Sequence, residues 1–470
     1  MKFIADLHIH SKFSRATSKE MCLEELDRWA DDKGILVMGT GDFTHPQWFR
    51  EIKEKLEPAE SGLFKLKKEL KQETIKGTRA ETRFLLSVEI SSIYSKNGKT
   101  RRIHNIIFAP DIETAEKINN KLSLRGNIKS DGRPILGLDA EELAKIVFSV
   151  NPETVIIPAH AWTPWFSLFG SMSGFDSLEE CFGKMSDKIF AVETGLSSDP
   201  AMNWRLSALD DLALISNSDS HSLQRIGREA NIFDTVLSYS GIMEAIKNGS
   251  PKNLAENEEA RKKFDHLSPR ACGTSVISSL RSESDKKQSS LLFVATVEFF
   301  PEEGKYHYDG HRACGIVWSP EETKKHKGIC PKCRKPVVIG VLNRVNKLAD
   351  RKEISIGQNY YRSFETRVPY YRAVPLDEII SEAMGIGPTS KKVKAKYKEL
   401  IKKFGNELKI LLEIQPEQLE EINEKKIAEA LRRFRLGNIE IQPGYDGEYG
   451  VVKIFKKGEK INSSDQTILF

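Results

Sequence analysis

Seven strand-length apolar runs within the first 220 or so residues constrain this chain more than any other feature: KFIADLHIH, ILVMGTGDF, RFLLSVEIS, HNIIFAP, TVIIPAHA, KIFAVETG and LALISNSDSH. Each is largely continuous rather than alternating along its body, the pattern of strands covered on both faces. The segments between them are long enough for crossovers, so the rhythm predicts an α/β fold built as a distorted seven-stranded (β/α) barrel rather than a sandwich. In such barrels the chemistry gathers where strand C-terminal ends meet.

Those ends form a consistent set: His8 and His10, Asp42 with His45 just after it, Glu89, His104, His160, Glu193, and Asp219 with His221. Residues two apart on a strand point the same way, so His8 and His10 project together, with Asp6 on that face. Asp219 and His221 repeat the spacing. Six of the ten histidines lie at or just after a run's end, and imidazoles converging with carboxylates suit divalent metals: zinc, manganese or magnesium. A pocket so rich in ligands holds two or three ions. A bound ion can bring the pKa of water from 15.7 toward roughly 7, while a second neutralises charge on phosphoryl oxygens, so no serine or cysteine nucleophile is required. There is no G-x-x-x-x-G-K-[ST] loop, which argues against an ATP-driven motor.

The chain has 470 residues, enough for two or three domains, with 39% apolar and 30% charged residues and a modest net charge of +5. No apolar run approaches the roughly 18 residues of a membrane helix, and the N-terminus lacks the pattern of a secretory signal. A cytoplasmic protein is expected. Six cysteines in so long a chain do not suggest a disulfide framework. Cys22, Cys181 and Cys272 read as ordinary thiols, whereas the other three share one short segment.

That segment, HRACGIVWSPEETKKHKGICPKC, places His311 and Cys314 three apart and Cys330 and Cys333 likewise. Two such knuckles close a tetrahedral structural zinc site, with His307 and His326 as competing fourth ligands. Nearby Arg334, Lys335, Arg344 and Arg351 are either phosphate contacts or solvated charge. Further on, EAMGIGPTSKKVKAKYKELIKKFG sets Gly385 and Gly387 in a turn before a helix carrying Lys391, Lys392, Lys394, Lys396, Lys398, Lys402 and Lys403. This resembles one helix-hairpin-helix element, whose turn offers N–H groups to a phosphate while lysines attract a DNA backbone. A solvated helix face is the alternative. Arg432, Arg433 and Arg435 form a second basic cluster. The last five residues, QTILF, resemble the peptide with which bacterial repair and replication proteins dock on the sliding clamp, Gln466 acting as polar reader and Leu469 and Phe470 as anchors.

The DLHIHS opening, the strand-borne glutamate, the isolated histidines and the closing SDSH together resemble the polymerase and histidinol phosphatase (PHP) superfamily of phosphoesterases. The resemblance implies that His8, His10, Glu89 and Asp219 hold one ion. Glu89 then bridges to a second ion on His104 and His160, and His221 belongs to a third site. Catalysis would centre on Asp219, Glu193 and His221. The second-strand motif is stretched to TGDFTH, leaving Asp42 and His45 both as candidate ligands. The continuation SKFSRATS, with TGDFTHP, ETGLSSDP, DGHRxCG, CPxC and LADR, is similar to the endonuclease Q family. That likeness implies a DNA repair nuclease cutting 5′ of a deaminated base (hypoxanthine, uracil, xanthine) or an abasic site. Trp162, Trp165 and Phe166 are candidates to stack on an extruded base or to pack a loop. The expected domains are 1–265 for the barrel, 290–370 for the zinc module, 371–458 for a mainly helical basic region and 459–470 for the tail. The alternatives are a small-molecule phosphoesterase and a non-catalytic, clamp-tethered DNA-binding scaffold.

Overall fold

The structure is a computed structural model and describes residues 1–75, 81–256, 292–353, 361–362, 367–456 and 459. Cys272, most of the charged stretch after residue 250, and Gln466, Leu469 and Phe470 lie outside the described residues.

In chain order the strands are β1 (Lys2–Asp6), β2 (Val37–Gly39), β3 (Leu56–Pro58), β4 (Phe64–Leu66), β5 (Arg83–Lys96), β6 (Lys99–Ala109), β7 (Ile135–Leu136), β8 (Val155–Pro158), β9 (Ala191–Glu193), β10 (Ala213–Ile215), β11 (Ala230–Asp234) and β12 (Leu292–Glu298). Every one of the seven runs contains a strand. Their pairing, however, is mixed. β1, β2 and β5 run parallel, whereas β5 with β6, β6 with β8, and β1 with β11 are antiparallel. β9 and β10 pair parallel with each other in a separate two-stranded sheet. The α/β class holds as a large mixed sheet with helices, whereas the uniformly parallel pairing that crossovers between the runs would give does not.

The physical reason sits between β5 and β6. Asn97 and Gly98 both have positive φ, 56° and 70°, the two-residue turn whose twist matches flanking antiparallel strands. The chain therefore reverses at once, and the two strands stay in register from Leu86 opposite Ala109 to Lys96 opposite Lys99. Near the end of β1, an isolated parallel bridge from Ile9 to Ser220 and a hydrogen bond from His10 N to Ser220 O of 2.9 Å bring the residues after β10 beside the first histidines.

Alternation on β1 sends Phe3, Ala5 and Leu7 into a buried cluster with Val37, Leu85, Ile106, Ile157, Ala213 and Ile215, leaving His8 and His10 to another direction. Fully burying one such aliphatic or aromatic side chain contributes about 1.5–3 kcal/mol, so this cluster fixes the strand ends that bear the polar groups.

The Cys-rich segment forms a hairpin of β13 (Asp309–His311) and β14 (Ile316–Trp318) followed by helices Pro320–Lys325 and Val341–Leu348. It is not a separate body. β12 lies beside β11, and the strand Tyr370–Arg372 beside β12, in the main sheet. Arg344 is buried and donates to Phe169 O (2.8 Å), Phe175 O (2.9 Å) and Asp176 Oδ1 (2.6 Å). Arg351 donates to Asp210 Oδ1 at 2.8 Å. These two arginines, expected as possible phosphate contacts, instead dock one part of the chain on another.

Beyond it lie helices Leu376–Met384, Lys391–Phe404, Glu407–Leu412, Pro416–Glu420 and Lys425–Leu436, matching the helical expectation. Glu407 ties them to the main body. Its carboxylate meets Lys33 Nζ at 2.7 Å in a buried pair and accepts from the Tyr397 hydroxyl at 2.7 Å. Among the described residues no helix is long and apolar enough to cross a membrane.

Candidate metal centre

Each of the first two histidines is aimed by a carboxylate behind it. His8 Nδ1 lies 3.0 and 3.1 Å from the two oxygens of Glu193, and His10 Nδ1 lies 3.1 Å from Asp42 Oδ1. Donation from Nδ1 fixes the tautomer and leaves the Nε2 lone pair forward, the outer-shell arrangement of metal-ligating histidines. Glu193 is itself held by Asn217 Nδ2 (2.9 Å) and His160 N (2.8 Å). Asp42 Oδ2 accepts from Ser11 N, Ser11 Oγ and Ser14 Oγ at 2.7, 2.6 and 2.8 Å.

In front, His8 Nε2, His10 Nε2 and Asp219 Oδ1 are buried and have no hydrogen-bond partner. They nonetheless crowd together. His10 Nε2 is 3.1 Å from Asp219 Oδ1 and 3.3 Å from Glu89 Oε2, and His8 Nε2 is 3.8 Å from each of these oxygens. Donors ~2.1 Å from a shared ion are ~3.4 Å apart in a tetrahedron, which is this spacing. Orphaned buried atoms facing one point fit a cation among them. A second group adjoins through the same glutamate. Glu89 Oε1 lies 2.7 Å from His104 Nδ1 and 3.0 Å from His160 Nε2. His104 is oriented by Ser91 Oγ on its other nitrogen at 3.1 Å. His8, His10, Glu89 and Asp219, and again Glu89, His104 and His160, each have ligand atoms mutually within 4.8 Å.

The remaining expected residues stand around these pockets. Asp42 and Glu193 form the layer behind the histidines. His45 starts the helix Pro46–Lys55 and stacks on Phe13 with ring centroids 4.3 Å apart. His221 flanks the mouth, its ring 4.4 Å from that of His10 and its Nδ1 donating to Asp219 O at 2.9 Å. Asp6 accepts from Ser218 N (3.1 Å) and Gly227 N (2.9 Å) and so anchors the loop that carries Asp219. Asp42, His160 and Asp219 all have positive φ, 52°, 29° and 46°, the backbone strain that concentrates at functional sites.

Charges in the pocket reinforce one another. Burial alone would depress the His10 imidazole, but Asp219, Asp42 and Glu89 push it up to about 10. His8 is likewise held well above its ordinary value against burial, by Glu193 and Glu89. Glu89 is buried, yet His104, Arg133 and His10 hold its carboxyl well below the usual range. Burial, with Arg133 and His160 as secondary contributors, drives His104 down to about 4 although Glu89 opposes this. Burial followed by the His10 charge lowers His221.

Several participants were not legible in the sequence. Asn217, Ser91 and Ser14 are common residues with no distinguishing spacing. Arg133, whose Nη1 donates to Glu89 Oε2 at 2.9 Å, sits in a loop without periodicity.

The four cysteine-segment ligands meet as well: His311, Cys314, Cys330 and Cys333 lie mutually within 4.8 Å. His326 instead stacks on Trp318 at 4.4 Å, and His307 stacks on Tyr308 at 5.5 Å. Of the aromatic candidates, Trp162 is fully buried and donates to Asn203 Oδ1 at 2.7 Å, so it is loop packing. Phe166 leans on His104 at 4.8 Å. Gly385 ends its helix at φ 66°, Gly387 is exposed, and Lys391, Lys392 and Lys394 are exposed on the next helix.

A mixed α/β sheet with adjoining histidine–carboxylate pockets defines the class: a metal-dependent phosphoesterase. A crystal structure of the lesion-specific endonuclease PfuEndoQ from Pyrococcus furiosus superposes with a TM-score of 0.75 at 28% identity, covering 99% of this chain and 100% of that one. A crystal structure of endonuclease Q with a 27-mer duplex bearing an abasic lesion at its active site matches with the same values. Over essentially its whole length, then, the chain is similar to endonuclease Q. Residues 375–438 match the family model described as the MJ0043 C-terminal domain. The uncharacterized protein MJ0043 of Methanocaldococcus jannaschii is 33% identical over 337 residues, 70% of this chain. The match spans only 36% of that longer relative. The uncharacterized protein YqxK of Bacillus subtilis is 28% identical over 464 residues, 96% of this chain and 99% of that protein.

Proposed function

We propose that this chain is a lesion-directed DNA repair endonuclease that hydrolyses the phosphodiester 5′ of a deaminated base (hypoxanthine, uracil or xanthine) or an abasic site. The observation that carries the reading is the pair of pockets sharing Glu89, in a chain that matches endonuclease Q over its whole length. His8, His10, Glu89 and Asp219 hold one divalent ion, and Glu89, His104 and His160 a second; zinc, manganese and magnesium all suit these donors. When bound, such ions supply hydroxide at neutral pH and offset charge on the phosphoryl oxygens.

The protein's own groups do the rest. Glu193 and Asp42 fix the tautomers of His8 and His10, acting as positioning residues. His221, kept neutral by burial, donates through Nδ1 to the backbone, so its Nε2 is free to accept the proton of the attacking water. As the bond from phosphorus to O3′ breaks, O3′ takes up a proton from water, leaving a 3′-hydroxyl and a 5′-phosphate. His311, Cys314, Cys330 and Cys333 hold a structural zinc that braces the β13–β14 hairpin. Gly385, Gly387, Lys391, Lys392 and Lys394 bind the DNA backbone. Gln466, Leu469 and Phe470 dock the tail on a sliding clamp, supported by their spacing alone.

The test is cleavage of 5′-labelled duplexes carrying one deoxyinosine, uracil or abasic site, with an undamaged control, in magnesium or manganese. Wild type is expected to give a metal-dependent product ending just before the lesion. Asp219→Ala should lower turnover at least ~100-fold, since it removes a ligand from the centre. Intact lesion duplexes with wild type, or near-normal turnover by the variant, would overturn the assignment.

A further inference from the structure

Among the described residues, Arg133 is the one cation that hydrogen-bonds a carboxylate of the two pockets without being a candidate ligand. Its Nη1 donates to Glu89 Oε2 at 2.9 Å, the oxygen that also faces His10. The Arg133 side chain is 26% exposed, while that of Glu89 is fully buried. Within the described residues this is the guanidinium's sole hydrogen bond, although the group carries five N–H donors in a planar fork.

The loop holding it is fixed from both sides. Arg133 N donates to Asp131 Oδ1 (3.0 Å), Gly132 N to Phe13 O (3.1 Å), and Ser91 N to Pro134 O (3.0 Å). A Cβ at Gly132 would fall 2.2 Å from Asp42 Oδ2 and 2.4 Å from Ser14 Oγ, so only glycine lets the backbone approach the layer behind His10. The side chain is thus presented to the centre by a built support.

With two divalent ions in place, the carboxylates of Glu89, Asp219, Asp42 and Glu193 would already balance the charge of the ions. Arg133 would then be the surplus positive charge of the pocket, and an incoming anion offsets it. Its unused donors form a fork suited to two oxygens of a phosphate.

We propose that Arg133 grips a non-bridging oxygen of the scissile phosphate, turning from its Glu89 contact toward the incoming DNA. This rests on the nuclease reading above and adds a substrate-contacting residue to it. On this reading Arg133 is a catalytic residue, stabilising the phosphorane-like charge as well as binding the ground state.

The experiment uses the metal-loaded full chain and two uncleavable lesion duplexes. In one, a methylene replaces O3′ at the scissile linkage, keeping its charge; in the other, a methylphosphonate removes the charge. Arg133→Ala is expected to weaken binding of the charged duplex 10- to 100-fold and of the neutral one less than 2-fold. Arg133→Lys should restore part of the difference. Equal weakening on both duplexes, or loss of bound metal by the variant, would make Arg133 a support for Glu89 and overturn the proposal. So would unchanged binding of the charged duplex. Cleavage of ordinary lesion duplexes by wild type in parallel separates these outcomes from failure of the nuclease reading.

Discussion

His8 and His10 each engage a carboxylate through one ring nitrogen and face the pocket with the other. That division predicts how the site takes up metal. His10, pushed up to about 10, is protonated at pH 7 in the metal-free protein, and an ion must displace that proton. Affinity should therefore keep rising with pH above 7 instead of levelling near 6.5, and metal binding to chelator-stripped protein should release protons. Calorimetry in buffers of different ionisation heat reads that release directly; heats independent of buffer would contradict it. The i, i+2 histidines were legible because strand period alone places them together. Asp6 shares their period, yet it turns to backbone N–H groups of Ser218 and Gly227, a choice set by a loop far away in sequence. Arg133 and Asn217 were illegible for the same reason.

At the level of elements, the seven runs were correctly read as strands, but their directions were not. Glu89 and His104 were expected at two strand C-terminal ends. They lie within β5 and β6, with His104 opposite Ser91 and Glu89 opposite Ile106, diagonal neighbours on one face of a hairpin. The Asn97–Gly98 dipeptide was the available signal; the continuous apolar pattern masked it, since it resembles that of parallel strands. The partnership of β12 with β11 was equally hidden, because the intervening stretch reads as a linker. That ladder brings Glu298 toward Glu229, and burial, with Asp199 adding to it, pushes the Glu298 carboxyl up to about 8 from 4.5 despite hydrogen bonds from Thr296 and Thr194. Between these values the folded state holds a proton that the unfolded chain has lost, so stability falls as pH rises from about 4.5 to about 8. Glu298→Gln copies the protonated carboxyl and should flatten that decline. Melting temperatures of both proteins between pH 5 and 8.5 decide it, parallel curves counting against the buried proton.

Over the whole molecule, motif order was enough to place the strand-rich part first, the Cys-rich hairpin next and the helices last. Their joints were not legible in it, because Lys33 with Glu407 and Arg344 with Phe169 are pairings between residues far apart in the chain. The DNA contacts proposed for the exposed lysines at the start of Lys391–Phe404 are tested at this scale. Lys391→Gln, Lys392→Gln and Lys394→Gln together should weaken binding to lesion and undamaged duplexes alike. The slope of log affinity against log salt should become shallower by about 2–3, at roughly 0.9 for each phosphate that is no longer neutralised; an unchanged slope would remove the lysines from the interface. The shared glutamate has a further consequence, in the order of synthesis. The chain is synthesised from its N-terminus, and Glu89 and His104 belong to one local hairpin with His160 soon after. That pocket is complete while Asp219, last of the ligands to be made, is still untranslated. All donors proposed for the second ion are thus synthesised before the pocket containing His8 and His10 receives its last donor.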